Sequence, residues 1–316
     1  MSALERALAL AERGRGTTSP NPMVGAVVER AGEVVGEGWH ERAGDPHAEV
    51  HALRGAGERA RGATLYVTLE PCAHHGRTPP CTEAIIEADL SRVVVAALDS
   101  NPEASGGVER LRAAGVEVEV AEGELAWRAR DLNAGYFSVH ERGRPWVIYK
   151  AAVTLDGRTK LPGSRWISGD DSRRLVHELR GWVDAVAVGM GTVRADAPRL
   201  DARDVEAPKQ PRRLAFGRGP LPEGSELELR SGALDEELRA LASEGVQWLL
   251  FEGGPTLAAS FVAADLIDQI LIFVAPVLAG EGPGLASALS APVALRRLRA
   301  RRIGDDVLLS AYVHEP

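Results

Sequence analysis

Apolar and polar positions in the first part of the chain alternate between the periods of helices and of strands. Ser2 and Glu5 form a capping-box pattern ahead of apolar residues three or four positions apart, which predicts an opening helix that ends near residues 14–16. The next apolar runs predict strands at 24–29, 33–38, 64–69, 92–97 and 116–120, and helices at 47–60, 82–88, 107–114 and 124–139. Two opening strands followed by alternating helices and strands predict a mixed sheet covered by helices.

A second pattern of the same kind begins after a polar, turn-prone stretch at residues 141–145. Apolar runs predict strands at 146–153, 183–189, 213–216, 246–251, 270–275 and 307–313. Helices are predicted from a cap formed by Ser168 and Asp171 to Arg180, at 234–243, and after Gly253-Gly254. We therefore predict two α/β domains, residues 1–144 and residues 145–316.

Length and composition agree with two folded domains. The chain has 316 residues, of which 45% are hydrophobic and 26% charged, values typical of soluble globular proteins. The longest apolar run, residues 270–279, contains a proline and is shorter than the roughly 20 residues that span a bilayer. Glu5 and Arg6 interrupt the N-terminal apolar stretch, so no secretory signal is predicted and a cytoplasmic location is expected.

The charge balance argues against one class of partner. The formal net charge is −8, and neither predicted domain is strongly basic. Proteins that owe their affinity to contacts with nucleic-acid phosphates carry the opposite sign of charge. We therefore expect small-molecule substrates, with no nucleic acid and no membrane as partners.

The two cysteines of the chain lie in one short segment, and each follows a proline: Pro71-Cys72 and Pro80-Cys81. His47 lies at the start of a predicted helix, and its imidazole and two thiolates suit zinc. Three protein ligands leave the fourth position open for water, which is typical of a catalytic site. Glu49, two residues after His47, is placed to accept the proton of that water and deliver it to a leaving amine, as in zinc deaminases.

Two other interpretations of these residues are open. In a closed structural zinc site, His74 or His75 supplies a fourth ligand and Glu49 only complements the helix dipole. In a redox pair, Cys72 and Cys81 form a reversible disulfide, but eight intervening residues are unlike the C-x-x-C of thiol oxidoreductases.

Motifs along the whole chain resemble one known family. In the first half they are Asn21-Pro-Met-Val-Gly25, His47-Ala-Glu-Val-His51, the run from Glu70-Pro-Cys72 to Pro80-Cys81, and Asp99-Ser-Asn-Pro102. The chain resembles the bacterial bifunctional riboflavin-biosynthesis enzymes, which fuse a diaminohydroxyphosphoribosylaminopyrimidine deaminase to a 5-amino-6-(5-phosphoribosylamino)uracil reductase. This resemblance implies a cytidine-deaminase-like α/β/α zinc domain followed by a dihydrofolate-reductase-like α/β domain, with zinc and NADPH as cofactors. It also implies a pyrimidine ribotide as substrate, and we expect a homo-oligomer.

The resemblance carries site residues over to this chain. In the deaminase half it implies substrate contacts from Asn21, His40, Asp99 and Asn101; for each of these, ordinary turn or strand-end chemistry is the alternative. In the reductase half it implies NADPH contacts from Val153, Trp166, Thr192, Asp196, Gly254, Pro255, Thr256, Leu257, Ala258, Ala259 and Ser260. Substrate contacts in that half are implied for Lys150, Ser164, Arg180, Leu200, Arg203 and Glu252.

Physical chemistry supports part of the reductase half, and the chain also departs from the family there. Gly189-Met-Gly-Thr192 and Gly253-Gly-Pro-Thr256 each pass from a strand to a helix whose N-terminus suits a phosphate, although neither is a G-x-G-x-x-G fingerprint. Arg180 and Arg203 suit a ribose phosphate, or are surface charges. Ala197 stands where the family commonly has a second aspartate, and Phe216-Gly217 where it has an Asp-Ser pair.

We therefore predict an enzyme with two successive activities. The first is zinc-dependent removal of the pyrimidine 2-amino group, and the second is transfer of hydride from NADPH to C1′ of the ribose. One rival is a tRNA or nucleoside deaminase with an accessory domain, which the acidic balance and the long cysteine spacing oppose. The other is a non-catalytic binding protein held together by zinc.

Overall fold

A computed structural model describes residues 1–75, 79–286 and 289–316 of the chain. They divide into two compact units, residues 1–142 with the terminal Pro316, and residues 143–315. The domain boundary predicted after Arg144 lies close to this division. Among the described residues, no helix is both long and apolar enough to cross a membrane.

The first unit is built on a mixed five-stranded sheet. Its strands are β1 (Gly25–Arg30), β2 (Glu33–Trp39), β3 (Thr64–Val67), β4 (Arg92–Val95) and β5 (Glu117–Val120). They lie in the order β2-β1-β3-β4-β5, with β1 antiparallel to β2 and β3, and with β3, β4 and β5 parallel. The helices are α1 (Ala3–Ala11), α2 (Ala48–Ala56), α3 (Cys81–Glu87), α4 (Gly107–Ala113), α5 (Glu124–Leu132) and α6 (Ala134–Arg142). The predicted mixed sheet and the predicted opening capping box of Ser2 and Glu5 are confirmed.

Two glycines of β2 bring α2 close to the sheet. A Cβ atom on Gly36 would lie 2.1 Å from the backbone oxygen of Ala52, and one on Gly38 would lie 2.4 Å from Cβ of His51. Only glycine allows so close an approach of helix and strand. This approach holds the N-terminus of α2, which carries His47 and Glu49, against the sheet.

The helix predicted at 124–139 is wrong, because the chain forms two helices that meet at Asn133. Asn133 is buried and leaves the helical conformation, with φ −113° and ψ 24°. Its side chain accepts a hydrogen bond from N–H of Met23 and donates one to the carbonyl of Met23, both at 2.8 Å. These two hydrogen bonds to the backbone of Met23 favour the break between α5 and α6. The helical spacing of apolar residues at 124–139 gives no sign of this break.

The second unit is built on an eight-stranded sheet. Its strands are β6 (Trp146–Thr154), β7 (Ala185–Gly189), β8 (Arg212–Phe216), β9 (Glu228–Arg230), β10 (Trp248–Phe251), β11 (Gln269–Ala275), β12 (Arg296–Ile303) and β13 (Asp306–Tyr312). They lie in the order β12-β13-β11-β6-β10-β7-β8-β9, in which β13 is antiparallel to both of its neighbours, β12 and β11, and all other neighbouring strands are parallel. The helices are α7 (Asp170–Arg180), α8 (Met190–Asp196), α9 (Leu234–Ser243) and α10 (Pro255–Ala263).

Three features of this unit differ from the sequence prediction. The strands β9 and β12 were not predicted. Five of the eight residues of β12 are arginines, and the strand is exposed almost throughout at the edge of the sheet, so it shows no alternation of burial. The predicted cap of α7 by Ser168 is also wrong: Gly169 is the N-cap, and Oδ2 of Asp306 accepts hydrogen bonds from its N–H and from Oγ of Ser172.

Parallel pairing places the carboxyl ends of β6, β10, β7 and β8 along one edge of this sheet. Beneath that edge the core is aromatic, with the rings of Phe251 and Phe261 stacked at 4.4 Å. In open α/β sheets, ligands bind outside the carboxyl ends of the strands. The residues that follow these strands are therefore the candidates for a binding site.

Candidate functional sites in the two units

The structure brings the three predicted zinc ligands together in the first unit. Nδ1 of His47 and the sulfur atoms of Cys72 and Cys81 all lie within 4.8 Å of one another. His47 is the N-cap of α2, Cys81 is the first residue of α3, and Cys72 lies in the loop between β3 and α3. Nδ1 of His47 is 3.2 Å from Sγ of Cys81 and 3.6 Å from Sγ of Cys72. One nitrogen and two sulfur ligands at such spacing fit a tetrahedral zinc ion with one open position.

The electrostatics of the cluster favour the thiolate form of Cys72. Hydrogen bonds from Cys81 and His47 lower the pKa of Cys72 to about 4 against the opposing effect of burial. The bond to Cys72 raises the pKa of His47 to about 8. The neighbouring Cys72 thiolate and burial raise the pKa of Cys81. A thiolate is the form that binds zinc, so the cluster is prepared for a cation.

Glu49 lies in the first turn of α2 beside this cluster and is only 3% exposed. Its Oε2 atom is buried and has no hydrogen-bond partner in the part of the chain that the structure describes. Burial raises the pKa of its carboxyl group. An unsatisfied buried carboxylate oxygen is costly in a folded protein and suggests a partner that binds with the metal or the substrate.

The closed structural zinc site is not supported by the described residues. His74 and His75 are both exposed, and neither belongs to the cluster of His47, Cys72 and Cys81. Nε2 of His75 instead lies 3.5 Å from Oε2 of Glu83. Residues 76–78 of the cysteine-to-cysteine loop, which are part of the predicted motif, lie outside the described residues.

Asn21 and His40 lie next to the cluster. The rings of His40 and His47 meet edge to face at 5.4 Å, and Nδ2 of Asn21 lies 3.1 Å from Nε2 of His40. Nδ1 of His40 is 3.3 Å from the carbonyl of Pro46, and burial lowers the pKa of this histidine. A neutral His40 that donates from Nδ1 accepts the amide N–H of Asn21 at Nε2. Oδ1 of Asn21 is then turned away from His40 and can accept a hydrogen bond from a ligand.

Asp99 and Asn101 form a hydrogen-bonded loop that joins the metal-ligand segment through Glu70. Oδ1 of Asp99 accepts from N–H of Asn101 at 2.8 Å and from the hydroxyl of Tyr136 at 2.9 Å. Glu70, two residues before Cys72, accepts from the N–H groups of Asp99, Gly106 and Val108. Sequence reasoning assigned no separate role to Glu70 or Tyr136; the position of Glu70 directly before Pro71-Cys72 was the available signal. Turn chemistry accounts for these bonds, so the substrate contacts of Asp99 and Asn101 stay predictions.

A buried charged triad lies at the carboxyl edge of the second sheet. Glu252 follows β10, Lys150 lies in β6 and Arg180 ends α7. Nζ of Lys150 is 3.1 Å from Oε2 of Glu252, and Nε of Arg180 is 2.7 Å from Oε1 of Glu252. Burial opposes ionisation of Glu252, but Lys150 and Arg180 lower its pKa to about 2. Two cations and one anion leave this buried group with a net positive charge, which suits an anionic substrate.

Leu200 and Arg203 lie in a loop that side chains from α7 and from the segment before β8 hold in place. Nη1 of Arg180 donates to the carbonyl of Asp201 at 3.2 Å, and Nδ1 of His177 lies 3.1 Å from the same oxygen. Gln210 accepts from N–H of Ala202 and donates to its carbonyl. Sequence reasoning missed His177 and Gln210, whose roles depend on contacts 24 and 8 positions away. The loop presents Arg203, whose guanidinium pairs with Asp201 at 2.5 Å.

The residues predicted to contact NADPH gather around the N-termini of α8 and α10. Gly254 is the N-cap of α10 and has no side chain to satisfy the first N–H groups of the helix, which are therefore available to a phosphate. A Cβ atom on Gly254 would lie 3.8 Å from Oγ1 of Thr192, and one on Gly189 would lie 3.2 Å from Cδ2 of Leu257. The two strand-to-helix passages are thus neighbours. Pro255, Thr256, Ala259 and Ser260 lie on α10, and Asp196 ends α8.

The other residues that the sequence predicts for the reductase site differ in the solvent exposure of their side chains. Trp166 is 48% exposed and Ser164 forms a local turn with it, its hydroxyl donating to the carbonyl of Trp166 at 2.7 Å. Val153 and Leu200 are buried, and Ala258 is fully buried in the core. The predicted contacts of these three apolar residues stay predictions and involve little side-chain surface.

Comparison with known proteins gives similarity over the whole chain. Residues 1–97 match the model of the cytidine and deoxycytidylate deaminase zinc-binding region, and residues 145–309 match that of the RibD C-terminal domain. The riboflavin biosynthesis protein RibD of Aquifex aeolicus is 41% identical over an alignment of 349 positions, which covers 97% of this chain and 96% of the relative. The solved structure of Acinetobacter baumannii RibD superposes with a TM-score of 0.88 at 36% identity, covering 98% of this chain and 97% of that one. A diaminohydroxyphosphoribosylaminopyrimidine deaminase/5-amino-6-(5-phosphoribosylamino)uracil reductase from Thermotoga maritima gives a TM-score of 0.86 at 33% identity, covering 98% and 97%.

Proposed function

The chain belongs to the RibD family of riboflavin-biosynthesis enzymes, and on that premise we propose which of its residues carry each reaction. The chain is a bifunctional enzyme, with a zinc-dependent deaminase in its first half and an NADPH-dependent reductase in its second. The predicted fold class, a cytidine-deaminase-like domain followed by a dihydrofolate-reductase-like domain, is confirmed. The comparisons do not favour a tRNA or nucleoside deaminase, or a non-catalytic zinc protein.

The deaminase substrate in this proposal is the diaminohydroxyphosphoribosylaminopyrimidine for which the Thermotoga maritima relative is named. His47, Cys72 and Cys81 would hold zinc, which when bound would supply a water molecule with a pKa lowered towards neutrality. Glu49 takes a proton at Oε2 and delivers it to the leaving 2-amino nitrogen. Its burial supports this role, because burial raises the pKa of the carboxyl group and so makes the carboxylate a better proton acceptor than an exposed glutamate.

Asn21 orients the pyrimidine in this site. His40, which is neutral and buried, fixes the amide of Asn21 so that Oδ1 is available to accept a ring N–H. Asp99 and Asn101, in the loop that Glu70 ties to the metal-ligand segment, bind the ribosyl phosphate side of the substrate. Each of these roles rests on the hydrogen bonds described above and on the family resemblance.

The reductase site lies at the carboxyl edge of the second sheet. When bound, NADPH would supply the hydride that is added at C1′ of the ribosyl group of 5-amino-6-(5-phosphoribosylamino)uracil. The free N–H groups at the start of α10 and the residues around Thr192 and Trp166 bind the cofactor. Lys150 and Arg180 retain unused N–H donors after pairing with Glu252, and together with Arg203 they bind the anionic substrate. Ser164 and Leu200 complete the substrate pocket.

One observation carries the proposal: the convergence of one imidazole and two thiols beside a buried carboxylate oxygen that lacks a partner. A purified sample that contains zinc is given the diaminopyrimidine ribotide with and without NADPH, and the products are identified by mass. We expect replacement of one amino group by oxygen in both samples, and addition of two hydrogens only with NADPH. A sample with full zinc occupancy that leaves the ribotide unchanged would refute the deaminase assignment.

Three finer features remain predictions from the sequence: homo-oligomeric assembly, a cytoplasmic location and the division of the activities at Arg144. The oligomeric state is tested by light scattering on the purified full-length chain. A monodisperse species with a mass near 33.7 kDa would contradict the expected homo-oligomer.

A further inference from the structure

Two side chains at the start of α6 hold the two loops of the first unit that carry predicted substrate contacts. Oδ1 of the buried Asn133 accepts from N–H of Met23, two residues after Asn21, and Nδ2 donates to the carbonyl of Met23, both at 2.8 Å. The hydroxyl of Tyr136 donates to Oδ1 of Asp99 at 2.9 Å. The carbonyl of Asn133 accepts a backbone hydrogen bond of 3.0 Å from the residue four positions on, so both side chains leave the same helical turn. One turn of helix therefore sets the distance between these two loops.

The hydroxyl of Tyr136 is held in place by the packing of its ring. The side chain is buried, and its ring lies 5.8 Å from that of Phe137 and 4.5 Å from that of His140. Burial and the neighbouring Asp99 carboxylate raise the pKa of this tyrosine, so it keeps its proton at neutral pH and acts as a donor. A packed, protonated donor of this kind fixes the orientation of the carboxylate that accepts its hydrogen bond.

The backbone of the Asp99 loop is tied to the segment that carries the zinc ligands. Oε2 of Glu70 accepts from N–H of Asp99 at 3.0 Å. A Cβ atom on Gly107, the first residue of α4, would lie only 1.8 Å from the carbonyl oxygen of Pro71, so the end of the loop packs directly against this segment. Since the backbone of Asp99 is fixed in this way, its main remaining freedom is rotation of the side chain, which the bond from Tyr136 restricts.

These bonds leave one carboxylate oxygen of Asp99 for a ligand. Oδ1 accepts from the Tyr136 hydroxyl and from N–H of Asn101, whereas Oδ2 forms no hydrogen bond within the described part of the chain. A carboxylate oxygen accepts a hydrogen bond from a hydroxyl group and repels a phosphate. On the ribosyl phosphate half of the substrate, the sugar hydroxyls are therefore the groups that suit Oδ2.

We propose that Tyr136 is a positioning residue of the deaminase, which holds Oδ2 of Asp99 ready to accept a hydroxyl of the ribosyl group. The inference rests on the proposed deaminase function, because it assigns a role toward the substrate of that reaction. In this role Tyr136 raises the affinity for the ribotide through Asp99 and does not touch the reacting atoms. Its removal therefore weakens substrate binding and leaves the chemical step unchanged.

The test compares deamination by the full-length, zinc-loaded protein with that of Tyr136→Phe, which keeps the ring and removes only the hydroxyl. The KM for the diaminopyrimidine ribotide should rise about 3- to 20-fold, while kcat should change less than about twofold. Zinc content should equal that of the wild type. Tyr66→Phe is the matched control, since Tyr66 is a partly buried tyrosine of β3 whose hydroxyl forms no hydrogen bond among the described residues. Its KM should stay within about twofold of the wild-type value.

A double variant shows whether Tyr136 acts through Asp99. Asp99→Ala removes the carboxylate that Tyr136 holds, so adding Tyr136→Phe to it should change kcat/KM by less than about twofold. This ratio is measured from product formation at low substrate concentration and needs no saturation of the enzyme.

The outcomes separate this inference from the deaminase function. An unchanged KM in Tyr136→Phe would overturn the positioning role and leave the deaminase intact. A loss of zinc, or a fall in kcat as large as the rise in KM, would also overturn it, because the hydroxyl would then support the fold as a whole. A further loss of kcat/KM in the Asp99→Ala background would show that Tyr136 does not act through Asp99. A wild-type protein with full zinc occupancy that leaves the ribotide unchanged would refute the proposed function itself, and this inference with it.

Discussion

Glu49 is the residue on which the deaminase mechanism depends most directly. Glu49→Gln keeps the size of the side chain and removes its capacity to accept a proton, so deamination should fall by about two orders of magnitude or more. Zinc content and thermal stability should stay at wild-type values, because the proposed metal ligands are His47, Cys72 and Cys81 and not Glu49. The measurements are turnover of the diaminopyrimidine ribotide and metal analysis, with Glu109→Gln on the exposed face of α4 as the control. Turnover near the wild-type value would remove Glu49 from the mechanism.

Glu252 alone should make the free energy of unfolding of the second unit depend on pH. Its folded pKa of about 2 lies below the ordinary value of 4.5 because Lys150 and Arg180 outweigh burial. A lowered pKa stabilises the folded state above the unfolded value, and this stabilisation, about 3 kcal/mol, is lost as the pH falls from 4.5 towards 2. The difference in unfolding free energy between the wild type and Glu252→Gln should therefore be smaller at acidic than at neutral pH.

Denaturant unfolding on both sides of that interval measures the difference. The control is Glu236→Gln, an exposed position in the first turn of α9. The difference between this variant and the wild type should change with pH by less than that of Glu252→Gln, because exposed charges interact weakly. A Glu252→Gln difference that stays constant or grows on acidification would contradict the lowered pKa.

At the scale of elements, the break between α5 and α6 depends on Asn133. Asn133→Ala removes both hydrogen bonds to Met23. The buried backbone N–H and carbonyl of Met23 then lose these side-chain partners. Each unsatisfied group costs about 1–3 kcal/mol, so we expect a loss of about 2–6 kcal/mol in unfolding free energy. Because Met23 lies two residues after Asn21, the KM of deamination should also rise.

Chemical denaturation and deamination kinetics check the Asn133 prediction, with Glu109→Ala on α4 as a control that should change stability by less than about 0.5 kcal/mol. If Asn133→Ala were as stable as that control, the two helices would not need the side chain of Asn133 to separate. A lower stability with an unchanged KM would confine its role to folding.

At the scale of the whole molecule, we expect the two activities to be separable by single substitutions. Gly254 has φ −70°, and a Cβ atom there would make only an ordinary contact with Oγ1 of Thr192 at 3.8 Å, so Gly254→Asp fits as a helix N-cap and places a negative charge at the proposed site of a cofactor phosphate. This variant should deaminate at the wild-type rate and accumulate the deaminated ribotide even with NADPH. Glu49→Gln should show the reverse defect and reduce the deaminated ribotide when it is supplied.

Mixing the two purified variants tests this independence in one experiment. The mixture should form the reduced product from the diaminopyrimidine ribotide, because the intermediate released by Gly254→Asp is the substrate of Glu49→Gln. A mixture of Glu49→Gln with Cys81→Ala, both defective in deamination, should form none. If the first mixture also formed no product while each variant kept its one activity, the intermediate would have to pass between the sites of one molecule.

The sequence by itself determined what depends on side-chain chemistry and on local periodicity. The sequence predicted a zinc site from His47, Glu49, Cys72 and Cys81 because an imidazole, a carboxylate and two thiols suit few other roles together, and the structure brings the three candidate ligands together. Strands such as β7 and β10 were predicted because apolar runs report the burial of an element as a whole.

Only the tertiary structure decided the features that join residues distant in sequence. The bonds of Asn133 to Met23 cross 110 positions, those of Asp306 to the start of α7 cross 134 and 137, and that of Lys150 to Glu252 crosses 102. The edge strand β12 is exposed along nearly its whole length, so no alternation of burial marks it in the sequence. Such contacts form when packing brings polar groups together in the absence of water, and their energy depends on geometry that no local pattern of residues contains.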